Sequence, residues 1–328
     1  MTAFLALREL RPGDQVTAPD YAAAPGESLM GLQAGEVVSV RDLLYGLLLA
    51  SGNDAAAALA IRVAGSVPDF VTRMNETATR LGLDETTYVD PIGLDGGNVS
   101  SARDLVALAL RLRREPLFRK IVDTPRVTVG GSESHPLVNR NTLVLEEPFV
   151  DGIKTGTTLA AGYVLVASGE RRGVELVSAL LGAPGETERD AATLELLAYG
   201  HSLYRERTIV AVGERITSVE LSAGRGRLAL VADAALEVVA RRDQEAEVEF
   251  VAPPPPEGAV ARGEPFGTAS VTLDGRAVGE VAVVAVRAVA APPEAGLPSW
   301  AWIALGGAGA VAFALATAAV VVARRPPR

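Results

Sequence analysis

Apolar residues recur with two different periods along this chain, and the change of period divides it. Up to about residue 120 the spacing is helical, and each run carries its own start signal. Ser39 precedes VRDLLYGLLLA with Asp42 three residues on, and Ser101 precedes ARDLVALALRLRRE with Asp104 placed likewise, which predicts two capped helices. Val40, Leu43, Leu44, Leu47 and Leu48 of the first, and Leu105, Leu108, Ala109 and Leu112 of the second, fall on one face each. A third helix is expected over residues 69–81, closed by Gly82. From Phe149 onward the runs VDGIKTGTT, AGYVLVAS and VELVSALLG read as strands, the last two joined through GERRG as an antiparallel hairpin. A helix from Thr187 to about Arg205 follows. Between Thr208 and Ala290, short Val-rich runs such as RLALVA, LEVVAR and EVAVVAV, separated by Gly and Pro, predict a small all-β domain.

A third pattern appears at the end of the chain. Residues 295–323 carry no charge, and Trp300–Ala323 is long enough as a helix, about 36 Å, to cross a hydrocarbon core of roughly 30 Å. Trp300 and Trp302 stand at one end and Arg324, Arg325 and Arg328 at the other, so a single-pass membrane helix with a cytoplasmic tail is expected. Everything before it is then extracytoplasmic. The first fifteen residues nevertheless lack the basic, apolar and small-residue segments of an export signal.

Composition narrows the chemistry. The net charge of −9 argues against a nucleic-acid partner, and the absence of Cys excludes thiol nucleophiles, disulfides and Cys-based metal centres. His135 and His201, 66 positions apart, are better read as ordinary imbedded or surface imidazoles than as a metal site, so neither metal nor cofactor is expected. Of 31 Lys+Arg only Lys120 and Lys154 are lysine. Any chemistry that needs an amine must use one of these.

Two short motifs carry the functional reading. Ser51-Gly52-Asn53 lies where one apolar helix ends and another begins, with Gly52 permitting a tight corner. Lys154-Thr155-Gly156, followed by Thr157, lies in the first strand of the expected sheet, where alternation sets Lys154 and Gly156 on one side and Thr155 and Thr157 on the other. Either motif alone is an ordinary turn or strand. Together, helices before and a hairpin after, they match the S-x-N and K-T-G elements that accompany a Ser-x-x-Lys nucleophile in serine acyl transfer.

On these residues, and on LLYGLLLASGNDAAAALA, YVDPIGLDGGNVSSARDLVALA, VNRNTLVL and FVDGIKTGTTLAAGYVLVASGERRGVELVSALLGAP, the chain resembles the penicillin-binding D-alanyl-D-alanine carboxypeptidases, serine peptidases of peptidoglycan maturation. The resemblance implies an α+β, β-lactamase/transpeptidase-like catalytic domain over residues 1–206, with an antiparallel sheet and a helical subdomain. A small β domain at 207–291, a Pro-rich linker at 292–299, the membrane helix at 300–323 and a basic tail at 324–328 complete the expected organisation. It implies that the enzyme removes the terminal D-Ala of stem peptides through an acyl-enzyme, without a cofactor, and is inhibited by β-lactams. Lys154 would hold the substrate carboxylate, helped by the Thr155 and Thr157 hydroxyls, and the Thr157 N–H would join the oxyanion hole. Gly156 would leave room for substrate along the strand edge, Ser51 would relay a proton to the leaving group, and Asn53 would hold the peptide amide and the catalytic lysine.

The chain departs from this family at its start. Met1-Thr2-Ala3-Phe4 looks like the stretch that follows the nucleophile motif, and no Ser-x-x-Lys occurs anywhere: Asp151 stands three before Lys154 and Leu117 three before Lys120. The expectation is that the sequence begins at an internal Met, that nucleophile, base, first strands and export signal lie upstream, and that the chain as written is inactive and folds poorly. Three rivals remain: a class A-like β-lactamase, with Glu146 or Glu147 activating water; a non-catalytic peptidoglycan-binding or regulatory membrane protein; and a membrane-anchored adhesion module.

Overall fold

A computed structural model of the chain describes residues 1–292 except 131–132 and 255. The expected membrane helix and basic tail lie outside the described residues. Two compact units emerge, residues 1–205 with 239–242, and residues 206–238 with 243–292.

The first unit is mainly helical at its start. Helix α1 (Thr2–Glu9) is followed by β1 (Gln15–Thr17) and β2 (Val37–Ser39), an antiparallel pair bracketing an irregular loop. Then come α2 (Val40–Tyr45), a π-helical turn over Gly46–Ala50, α3 (Asn53–Ala64), α4 (Val67–Leu81), α5 (Ala102–Leu112) and α6 (Pro116–Val122). The Ser39 and Ser101 side chains cap α2 and α5 as expected, accepting from the N–H groups of Asp42 and Asp104. The reciprocal half of the box differs. The Asp104 carboxylate accepts from the Glu85 N–H and the Thr86 hydroxyl, at 2.9 and 2.7 Å, and so ties down the loop after α4. An Asp side chain is one methylene shorter than the Glu such a box prefers.

Hairpin β3 (Arg126–Gly130) with β4 (Ser134–Val138) has no counterpart in the sequence reading. A short α7 (Leu143–Glu146) leads into the antiparallel sheet β5 (Val150–Thr158), β6 (Gly162–Arg171) and β7 (Val174–Ala183), in the order β5-β6-β7. These are the three strands that the change of period predicts. Helix α8 (Glu186–Ser202) packs its buried Leu197 with Leu165 and Ala167 of β6 and Val150 of β5. The main core joins Phe4, Leu43, Leu44, Leu49, Leu59, Phe118 and Ile121 to Ile153 of β5, so the helices and the site-bearing strand share one interior.

The chain continues through β8 (Tyr204–Val210), which pairs with β11 (Leu236–Arg241) in a two-stranded ribbon. The second unit is a five-stranded antiparallel sheet. Its order is β12 (Ala246–Glu249), β13 (Pro265–Leu273), β14 (Arg276–Ala285), β10 (Arg227–Ala232) and β9 (Arg215–Glu220). Its burial alternates along β10, where Leu228, Leu230 and Ala232 point inward.

Candidate active site

The site is built on a backbone corner and a strand edge. At the corner, Ser51 adopts the left-handed conformation, φ 59°, while Gly52 is extended with φ −63°. Gly52 is needed for close approach instead. A β-carbon there would come within 2.9 Å of both the Met30 backbone N and an Asp54 carboxylate oxygen. Gly46, at the other end of the π-helical turn, similarly makes room for the Met30 side chain, and its carbonyl accepts from the Gly52 N–H at 2.9 Å.

Asp54, buried beneath this corner, fixes the loop that crosses it. Its Oδ1 accepts from the Met30 N–H at 2.8 Å, and its Oδ2 from Gly31 and Leu32 at 2.8 and 3.0 Å. Asn53 N donates to the Ser28 carbonyl at 2.8 Å. The loop is tied at its far end too, where Glu36 meets His135 of β4 at 2.7 Å in a fully buried contact. His135 is thus a structural residue, and His201 packs edge-on against Phe149. Among the described residues no His, Asp or Glu cluster is assembled to hold a metal ion.

On the opposite wall runs β5, whose register sets Lys154 against Val166 and Thr157 against Tyr163 of β6. Its other edge is unpaired among the described residues. The strand is anchored from behind by buried groups. Arg113, the C-cap of α5, donates to both oxygens of Asp151, at 3.1 and 2.6 Å, to Ser168 Oγ at 2.6 Å and to Glu175. Asn141 Nδ2 donates to the Gly152 carbonyl at 3.0 Å. The space that a β-carbon on Gly156 would occupy is already filled by Val164, 2.9 Å away. A larger residue here would have to displace the Val164 side chain, independently of any ligand.

Corner and strand meet. Lys154 Nζ donates to Ser51 Oγ at 2.9 Å across 103 residues of sequence, and to the Thr155 carbonyl at 2.8 Å. Ser51, Asn53, Lys154, Thr155, Gly156 and Thr157 all line one cleft of about 910 Å³, so the two motifs are brought together. Burial, with Arg140 close by, pushes the Lys154 ammonium down to about 8.

The same cleft contains groups that the sequence reading missed. Glu27 accepts from Tyr21 Oη at 2.5 Å and Asn53 Nδ2 at 3.0 Å on one oxygen, and from the Ala24 N–H at 3.1 Å on the other. The Tyr21 hydroxyl bond, then Asn53 and the Ala24 amide, hold the Glu27 carboxyl below its ordinary range. Burial and this carboxylate raise the Tyr21 phenol. One Nδ2 hydrogen is committed to Glu27, which orients the Asn53 amide and leaves its oxygen and its second N–H to offer. Arg140 adds positive charge to the lining, whereas Arg189, also there, is buried and neutralised by Glu186 and Asp190. Glu146 and Glu147 are not among the lining residues. No spacing rule pointed to Glu27, Arg140 or Arg189, although Arg140 stands inside the VNRN segment.

A serine-enzyme architecture of the penicillin-binding type is the class these features define. Solved structures share it: penicillin-binding protein 5 of Haemophilus influenzae is 28% identical, with a TM-score of 0.58 over 88% of this chain and 86% of that one. The Streptomyces K15 DD-transpeptidase is 31% identical, with a TM-score of 0.58 over 62% of this chain and 85% of that one. Residues 1–185 match the D-alanyl-D-alanine carboxypeptidase family, peptidase S11, and the chain belongs to that family. Its relatives include the D-alanyl-D-alanine carboxypeptidases DacF of Bacillus subtilis, 29% identical over 87% of this chain and 76% of the relative, and DacC of Escherichia coli, 32% over 81% and 68%. DacD of Salmonella typhimurium is 37% identical over 64% of this chain, which spans 55% of that relative.

Proposed function

We propose that this chain provides the substrate-holding half of a serine D-Ala-D-Ala carboxypeptidase site acting on peptidoglycan stem peptides. The observation that carries the reading is the Lys154–Ser51 contact of 2.9 Å inside a cleft lined by the Lys-Thr-Gly strand. The terminal carboxylate of the substrate is placed at Lys154, with the Thr155 and Thr157 hydroxyls as donors and the Thr157 N–H directed to the carbonyl under attack. Ser51, already hydrogen-bonded to the amine, passes a proton toward the departing D-Ala. Asn53, oriented by Glu27, receives the substrate's peptide N–H on its oxygen. Acylation itself takes a Ser-x-x-Lys, which these 328 residues do not contain.

Membrane placement belongs to the same proposal. Trp300–Ala323 is read as a single-pass anchor with the cleft on the extracytoplasmic side and the arginine tail in the cytoplasm.

The first test is calorimetry with an acylated D-Ala-D-Ala peptide and its C-terminal amide. Saturable binding of the acid alone, lost in Lys154→Gln, is expected; equal binding of acid and amide would overturn the assignment of Lys154. The second is labelling by a fluorescent penicillin. A chain carrying a Ser-x-x-Lys segment ahead of Met1 should be tagged and the 328-residue chain should not. Fast turnover of penicillin by the extended chain would favour a β-lactamase, against which the absence of Glu146 and Glu147 from the cleft already counts. Wall binding without any tagging would favour a non-catalytic role.

A further inference from the structure

Beyond the cleft, the turn joining β6 to β7 borders a separate recess of about 330 Å³ lined by Arg171, Arg172, Val174, His201, Ser202 and Tyr204, all in the first unit. We propose that this recess is a second ligand site, for a phosphate-bearing anion.

Three observations lead to it. Neither Arg171 nor Arg172 is ion-paired with a carboxylate among the described residues, although acidic residues outnumber basic ones in the chain by 40 to 31. Glu175, the nearest acidic residue beyond the turn, is taken by Arg113 and Arg119. Arg171 is also held in place, its guanidinium carbon 3.7 Å from the Phe149 ring centroid. Stacking uses the face of the guanidinium and leaves its in-plane N–H groups free to donate. On the same ring, edge-on at 6.3 Å, lies His201, whose Nε2 is sealed from solvent and has no hydrogen-bond partner.

A buried polar atom without a partner costs stability unless something meets it. Arg171 and Arg172, exposed at the turn and without a carboxylate partner, keep their N–H groups open to an incoming anion. Burial and then Arg171 hold the His201 imidazole below its ordinary range, which is the mark of such crowding. An anion would meet the imidazole and the two guanidiniums together, and a phosphate suits the set better than a carboxylate. It offers three oxygens to two guanidiniums and an imidazole that approach from separate elements, the turn and α8. The recess exceeds the size of bare phosphate, so a phosphate ester fits, whether soluble or at the headgroup of a lipid.

The test exploits the chain's having only two histidines. In an NMR titration of the imidazoles, inorganic phosphate, compared with chloride at equal ionic strength, is expected to raise the His201 pKa and leave His135, buried against Glu36, unmoved. Arg172→Gln and Arg171→Lys should each weaken phosphate about tenfold, the second because an ammonium loses the two-pronged fork. No His201 response in the unsubstituted protein, or a response surviving the double variant Arg171→Gln/Arg172→Gln, would sink the proposal. Should the variants misfold by circular dichroism, the unsubstituted titration decides alone. Sedimentation with phosphatidylglycerol vesicles, against phosphatidylcholine, assigns the source: binding lost in the variants indicates a lipid headgroup, and a phosphate response without vesicle binding indicates a soluble ester.

Discussion

Fully buried polar and charged side chains of the described residues, from Glu36 and Asp54 to Arg113, His135 and Arg189, lie in the first unit, whereas the core of the second consists of Val, Leu and Ala. Aliphatic alternation is sufficient to hold a sheet whose faces need only to be covered or wetted. A cleft makes a further demand, because its walls are loops and strand edges whose backbone groups must be met at fixed positions. The first unit answers it with side chains that each satisfy several backbone or charged groups, such as Asp54 under the corner and Arg113 behind β5. The cost of losing one member should therefore differ in kind between the units.

The largest effect is expected from Arg113→Ala, which removes a buried guanidinium and its bonds to Asp151, Ser168 and Glu175, leaving Asp151 with Ser168 and Glu175 with Arg119, and should cost about 3–4 kcal/mol in urea unfolding of the first unit. A loss below roughly 1 kcal/mol would mean that the network behind β5 carries no stability. In the second unit, Leu230→Ala should cost about 3 kcal/mol through cavity formation and leave peptide binding by calorimetry unchanged. If binding falls with it, the separation drawn between the units fails. Asp54→Ala leaves the N–H groups of Met30, Gly31 and Leu32 unmet and should cost about 2–3 kcal/mol, with peptide affinity falling in parallel.

Lys154 gives the opposite sign. Its folded pKa of about 8 lies below the ordinary 10.5, so between those values the unfolded chain binds more protons and stability should rise with pH. Lys154→Gln should flatten that rise and add up to about 2 kcal/mol near pH 7, while abolishing peptide binding. In the unsubstituted chain, affinity for a carboxylate-ended peptide should decline as pH passes about 8. The smallest effect is expected from Glu27→Gln, which keeps the shape but lets the Asn53 amide turn over, weakening peptide binding less than about tenfold.

Legibility in the sequence follows the same division. The β5–β7 sheet, the capped helices and the Val-rich unit were readable because each rests on a local period or start signal. Ser51 and Lys154 were readable because their motifs are short and contiguous. Glu27 and Tyr21 were not, since they sit in an irregular loop with no period, fixed through Asp54 and through a Glu36–His135 contact that spans 99 residues. Hairpin β3–β4 escaped because its strands are five residues each and one contains Pro136, which reads as an interruption. At the corner, nothing in the sequence marked Ser51 as the residue with the positive dihedral angle, because residue type signals permission rather than use.

The scarcity of lysine makes the cleft chemically addressable. Apart from the α-amine, a reagent that acylates primary amines has two targets, Lys154 in the cleft and exposed Lys120. A bound carboxylate favours the ammonium form of Lys154 and covers it, so modification there slows while Lys120 reacts as before. Mass spectrometry of the two peptides then gives occupancy at one residue with an internal reference, with no isotope label and no catalytic turnover.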